Sequence, residues 1–129
     1  MTGLSLIGLL YLALAIWCAT LPQSTSATVG LQRSVGQGES EYLAVYGGLQ
    51  LALGLLFLLP LANPKLLAPM LLACVVVHAS LVTMRLASFA IYSGFSRTTY
   101  LLAGCEVALL LLASGMLWCH GLADVRPEA

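Results

Sequence analysis

Residues 66–92 read LLAPMLLACVVVHASLVTMRLASFAIY, a run in which Arg85 is the one full charge and His78 the one further basic side chain. At about 1.5 Å per residue, a helix over this stretch is long enough to cross a hydrocarbon core of about 30 Å. Lipid offers no hydrogen-bond partners, so a spanning backbone must close its own bonds. A run this uniformly apolar lacks the two-residue alternation of a barrel strand and reads as a helix. Three further runs of the same kind lie around it, at 3–21, 41–59 and 98–119. The expected fold class is all-α, a transmembrane four-helix bundle forming a single transmembrane domain over 1–129.

Composition agrees. Hydrophobic residues make up 60% of the 129 and charged residues 8%, against roughly a quarter charged in soluble domains. Five basic residues balance five acidic ones, so the chain has no cationic face of the kind nucleic acid requires, and nucleic-acid binding is excluded as a function class. There is no Gly-rich phosphate loop, no nucleophile elbow and no HExxH motif. No internal repeat relates the four runs.

The boundaries follow from the breakers. Pro22 and the Ser/Thr/Gly-rich stretch 23–37 read as a loop after the first span. Pro60, Asn63 and Pro64 stop the second, because proline lacks the amide hydrogen a helix needs. The third ends near Tyr92 at the turn 93–97; Thr98 or Thr99 caps the fourth, which ends before Gly121. The first run has a second reading as a secretory signal, with Ser24, Thr25, Ser26 and Ala27 as small residues for a peptidase. No Lys or Arg precedes it, however, and its apolar stretch exceeds the roughly 7 to 15 residues of a signal core. Four spans put Lys65 and Arg126 on one side and Arg33 and Arg97 on the other. With the terminal amino group added to the Lys65 side, both termini are expected in the cytoplasm.

Small residues at four-residue steps, Ala44, Gly48 and Ala52 on the second helix, Gly104 and Ala108 on the fourth, Ala15 and Ala19 on the first, suggest where backbones approach. The polar residues point to a site. Counting from the third turn, Arg85 lies about 10 Å and Glu106 about 12 Å below the membrane surface, at matching depth on consecutive antiparallel helices. Left unpaired, each charge costs roughly 2.5 to 3.5 kcal/mol on insertion scales. Pairing across the hairpin removes most of that cost; Arg85 snorkelling to the headgroups is the alternative. Glu41 lies at the same boundary with Tyr46 and Gln50 progressively deeper, so five polar side chains can reach one layer. His78, two helical turns below Arg85 on the same face, is expected as a neutral imidazole donating to a carbonyl or hydroxyl, with a ligand or proton-relay role as the alternative. Tyr11, Trp17, Tyr92, Tyr100 and Trp118 read as interface anchors. Cys18, Cys74, Cys105 and Cys119 have no Cys-x-x-Cys spacing, and no metal site or cofactor is expected from them.

The stretch Glu41-Tyr42-Leu43-Ala44-Val45-Tyr46-Gly47-Gly48, with Gln50, Gly54, a following Pro turn, Arg85 and Glu106, resembles a family of small bacterial four-span membrane proteins catalogued as a domain of unknown function. The chain departs from that family's pattern at Leu43-Ala44, where Arg-Ala or Arg-Gly is common, and at Ser93-Gly94, where Asp-Gly is common. The family is loosely similar to small four-helix proteins of the DoxX kind, and the resemblance implies the bacterial inner membrane as the setting.

Together these readings describe a non-enzymatic membrane protein that binds a small amphipathic molecule such as a lipid or quinone headgroup, or serves as accessory subunit of a larger membrane complex. The buried polar layer of Glu41, Tyr46, Gln50, His78, Arg85 and Glu106 is its site. Membrane lipid is the expected partner, and homo-oligomerisation through the small-residue faces is a further one. One alternative is an intramembrane acid/base enzyme, isomerase-like, using Glu41 or Glu106 with Arg85. Another is a proton-coupled carrier, for which four spans without broken helices offer little machinery.

Overall fold

The structure, a computed structural model, describes residues 1–124. It is all-α, with no strand among the described residues. Four helical stretches are long and apolar enough to cross a membrane: Thr2–Thr20, Gln37–Ala62, Pro64–Ile91 and Arg97–Gly121. Most of their large apolar side chains are exposed, Leu6, Ile16, Leu55, Met84 and Leu111 among them. In water that surface would be untenable; against acyl chains it is the expected exterior.

The helices are α1 (Thr2–Thr20), α2 (Pro22–Thr28), α3 (Gln37–Tyr42), which runs through a π-helical segment Leu43–Leu49 into α4 (Gln50–Ala62), then α5 (Leu67–Ile91) and α6 (Arg97–Asp124). They fall into two compact units, one made of Leu4–Leu58 with Thr2, the other of the chain from Leu59 onward with Met1 and Gly3.

In the first unit, α1 buries Leu4, Ile7, Gly8, Tyr11, Ala15 and Cys18, a stripe at three- and four-residue steps. Its tightest approach is glycine on glycine. A Cβ at Gly8 would stand 3.1 Å from the Gly54 carbonyl oxygen, and one at Gly54 would stand 3.0 Å from that of Gly8. Tyr11 packs edge-on against Phe57, ring centroids 5.8 Å apart, so it is a core residue and not an interface anchor. Ala44, Gly48 and Ala52, expected to pack, are exposed, and nothing lies within 4 Å of a Cβ placed at Gly48. The segment expected as a loop contains α2. Pro22 fixes the first helical φ, and the hydroxyls of Thr25 and Thr28 bond back to the carbonyls of Leu21 and Ser24 at 3.0 and 2.8 Å, so a polar sequence satisfies itself within a helix. The second span also starts earlier than residue 41. Gly36, at φ 76°, turns the chain, and the Glu39 carboxylate accepts from its amide at 3.2 Å, a favourable place for a negative charge at a helix start. Pro60 does not end α4, which runs on to Ala62; so near the helix end the proline removes a single amide donor.

In the second unit α5 packs along α6, with Leu71, Cys74 and His78 buried on one face of α5 and Ala113 buried on α6. Gly94, at φ 81°, forms the turn between them. The cap of α6 is Ser96, whose Oγ accepts from the Thr99 amide at 3.4 Å, in place of Thr98 or Thr99. Gly121 does not end α6: the positive-φ glycines among the described residues are Gly30, Gly36 and Gly94, so Gly121 continues the right-handed helix. Gly104 and Ala108 are exposed. Phe89 stacks on Tyr100 at 5.4 Å and meets Phe95 edge-on at 4.8 Å, closing the turn with aromatic contacts. Arg126, used in the orientation count, lies outside the described residues.

Candidate functional site

The second unit holds the ion pair. Arg85 continues the face of α5 that buries Leu71, Cys74 and His78, and Glu106 comes from the third turn of α6. The antiparallel turn sets both at one level, and the side chains meet as a fork: Arg85 Nε donates to Glu106 Oε2 at 3.0 Å and Nη2 to Oε1 at 2.6 Å. Two parallel charge-assisted bonds make this the strongest kind of neutral pair a helix hairpin can carry. It is not sealed: the side chains keep 30% and 14% of their surface exposed. Arg85 therefore bonds across the hairpin and does not rely on reaching the headgroups. His78 is fully buried, and its Nδ1 donates to the Cys74 carbonyl at 2.8 Å, the intrahelical bond expected of an imidazole in a membrane.

The first unit holds a second polar cluster. The Tyr42 hydroxyl donates to Thr25 Oγ1 at 2.8 Å and lies 3.6 Å from Cys18 Sγ, and the Cys18 thiol donates to Gln50 Oε1 at 3.9 Å. The ring of Tyr46 stacks on that of Tyr42, centroids 4.7 Å apart, at the mouth of the π-helical segment. Arg33 lies over the other part of the cluster: its guanidinium carbon is 5.4 Å from the Tyr42 ring centre and its Nε donates to Ser26 Oγ at 3.0 Å. Glu41 is exposed and its side chain takes part in no hydrogen bond or ion pair among the described residues.

Of the six residues read as one layer, Glu41, Tyr46 and Gln50 thus belong to the first unit and His78, Arg85 and Glu106 to the second. Sequence reasoning missed Tyr42, Thr25, Ser26 and Arg33. The available signal was the hydroxyl-rich stretch immediately after Pro22, which has the composition of a capped helix start as well as of a loop.

The four cysteines are free, and no group of three or more His, Cys, Asp or Glu side chains among the described residues could hold a metal ion. No known protein family, curated protein or solved structure matches this chain. The likeness to the four-span family rests on the residues quoted for it, from Glu41 to Gly54 with Arg85 and Glu106.

Proposed function

We propose that the chain is a multi-pass protein of the bacterial inner membrane, related to the four-span family it resembles, with both termini in the cytoplasm. It binds a small amphipathic molecule of lipid or quinone type, alone or as accessory subunit of a membrane complex. The observation that carries this reading is the partial exposure of the Arg85–Glu106 fork. A pair kept only for packing is cheapest when fully enclosed, because every polar atom left at the surface of a span meets hydrocarbon. A pair with an open edge gives a polar headgroup something to bond to while its tail lies along the apolar helices.

Each Glu106 oxygen gives one lone pair to Arg85, so a general base there would have to take up its proton on a carboxylate already held by two bonds to a guanidinium, at the cost of the fork. A catalytic Glu106 would lose all turnover on replacement by Gln with folding kept. Lipid-preserving mass spectrometry of the purified protein tests the binding reading: the natural chain is expected to carry a stoichiometric adduct that R85M/E106L, a variant that keeps the volume and removes both charges, lacks. An identical set of adducts on the two proteins overturns it.

A further inference from the structure

A cavity of about 550 Å³ opens in the first unit, where α1 ends and α3 begins. Its walls include Ala19, Leu21 and Leu43 on the apolar side and Gln23, Arg33 and Glu39 on the polar side. This volume falls in the range of small-molecule sites. The position is informative. One membrane-length helix finishes at Thr20 and the next starts at Gln37, so the cavity lies at the level where spans meet headgroups.

Arg33 is held for use there. Its Nε is committed to Ser26 and its guanidinium carbon lies over the ring of Tyr42, whose own hydroxyl is tied to Thr25, so the guanidinium is held from two sides. Its terminal amino groups donate no hydrogen bond and no carboxylate pairs with it among the described residues. Glu39 faces the same cavity with one oxygen on the Gly36 amide, and it too forms no ion pair. Opposite charges share one cavity without closing on each other. A ligand that completes both must present an anion to Arg33 and a hydrogen-bonding cation to Glu39.

We infer that this cavity binds the headgroup of a zwitterionic phospholipid bearing a phosphate and a primary ammonium. The phosphate takes the forked donors of Arg33, the ammonium donates to Glu39, and the acyl chains leave along Leu21 and Leu43, which are 56% and 49% exposed. A phosphatidylglycerol headgroup leaves Glu39 without a cation. A choline headgroup has no N–H to donate to it. This site is separate from the Arg85–Glu106 pair and stands whether or not that pair binds anything.

The test is lipid-preserving mass spectrometry of the full chain exchanged into equal mixtures of phosphatidylethanolamine, phosphatidylglycerol and phosphatidylcholine. The natural chain is expected to keep the ethanolamine lipid about tenfold over either of the others, the discrimination a single charge-assisted bond supplies. Glu39→Gln still accepts from the Gly36 amide, so its fold is kept, and its preference over phosphatidylglycerol is expected to fall to within about twofold. Arg33→Gln loses the preferentially retained ethanolamine lipid, while Lys65→Gln, whose side chain is not among the cavity's walls, behaves as the natural chain. An unchanged preference in Glu39→Gln, or full retention in Arg33→Gln, overturns the inference. So does displacement of the lipid by millimolar soluble phosphoethanolamine, which would make the cavity a site for a free phosphomonoester.

Discussion

At the scale of single residues, the ion pair and the tyrosine cluster make opposite demands on mutation. Replacing Arg85 alone by Met leaves the Glu106 carboxylate in hydrocarbon, and unfolding measured in lipid bicelles should show a loss of about 3 kcal/mol. Replacing both, as R85M/E106L, should return stability to within about 1 kcal/mol of the natural chain, because the penalty comes from an unpartnered charge and not from the missing bonds. Equal losses from the two single variants that simply add in the double would show that the fork contributes no coupling. Tyr42→Phe tests the other cluster. It removes the donor to Thr25 while keeping the ring under Arg33, so a loss of about 1 kcal/mol is expected in the same measurement, and no loss would mean the hydroxyl network is slack. The sequence made Arg85 and Glu106 legible because a charge inside an apolar run has few inexpensive places to go. Tyr42 gave no such signal: a tyrosine beside a glutamate at a span boundary has the look of an interface anchor, and its partner Thr25 lay in a stretch that composition assigned to a loop.

Between whole elements, the contact that sets α1 against α4 is made by two glycines, neither of which belongs to a four-residue small-residue series. Gly8 has Leu4 and Leu12 at the neighbouring steps, and Gly54 has Gln50 and Leu58. Spacing rules find long, shallow grooves; a single crossing point needs one glycine on each helix and leaves no periodic trace. That is why the series at Ala44, Gly48 and Ala52, read as a face for packing within the chain or for a second copy, is exposed and does not mark the crossing point of α1 and α4. The distinction is measurable. Gly54→Ala places a methyl 2.7 Å from Leu12 Cδ2 and 3.0 Å from the Gly8 carbonyl oxygen, where backbone must yield, and about 1 to 3 kcal/mol of stability should be lost. Gly104→Ala meets nothing within 4 Å and should be neutral or gain up to about 1 kcal/mol from helix propensity. If Gly104→Ala instead destabilises the protein, that outer face is occupied, and its concentration dependence would identify a second copy as the occupant. The π-helical segment Leu43–Leu49 left no sequence signature either, since one surplus residue per turn changes hydrogen bonding without changing which residue types suit it.

For the molecule as a whole, composition and run length were enough to read four membrane-length helices, because no other structure satisfies the backbone of such runs in lipid. Sidedness has a much weaker physical basis. It comes down to Lys65, Arg126 and the terminal amino group against Arg33 and Arg97, and the proposed cytoplasmic placement of both termini rests on that margin of one charge. Single cysteines separate these two levels. In a background with Cys18, Cys74, Cys105 and Cys119 replaced by Ala, a cysteine is placed at Gln32, Lys65 or Ser93, each exposed and at or beyond the end of a membrane-length helix. Four crossings require Gln32→Cys and Ser93→Cys to react with a membrane-impermeant maleimide from one face and Lys65→Cys from the other. In intact cells the first two should label directly, and Lys65→Cys only after permeabilisation. Labelling of all three from the same face would remove at least one crossing and with it the four-span topology. The mirror pattern, Lys65→Cys alone from outside, would keep the four crossings and reverse the orientation. The cavity at Arg33 would then belong to the cytoplasmic leaflet, so the same three variants also decide which leaflet's lipid it can reach.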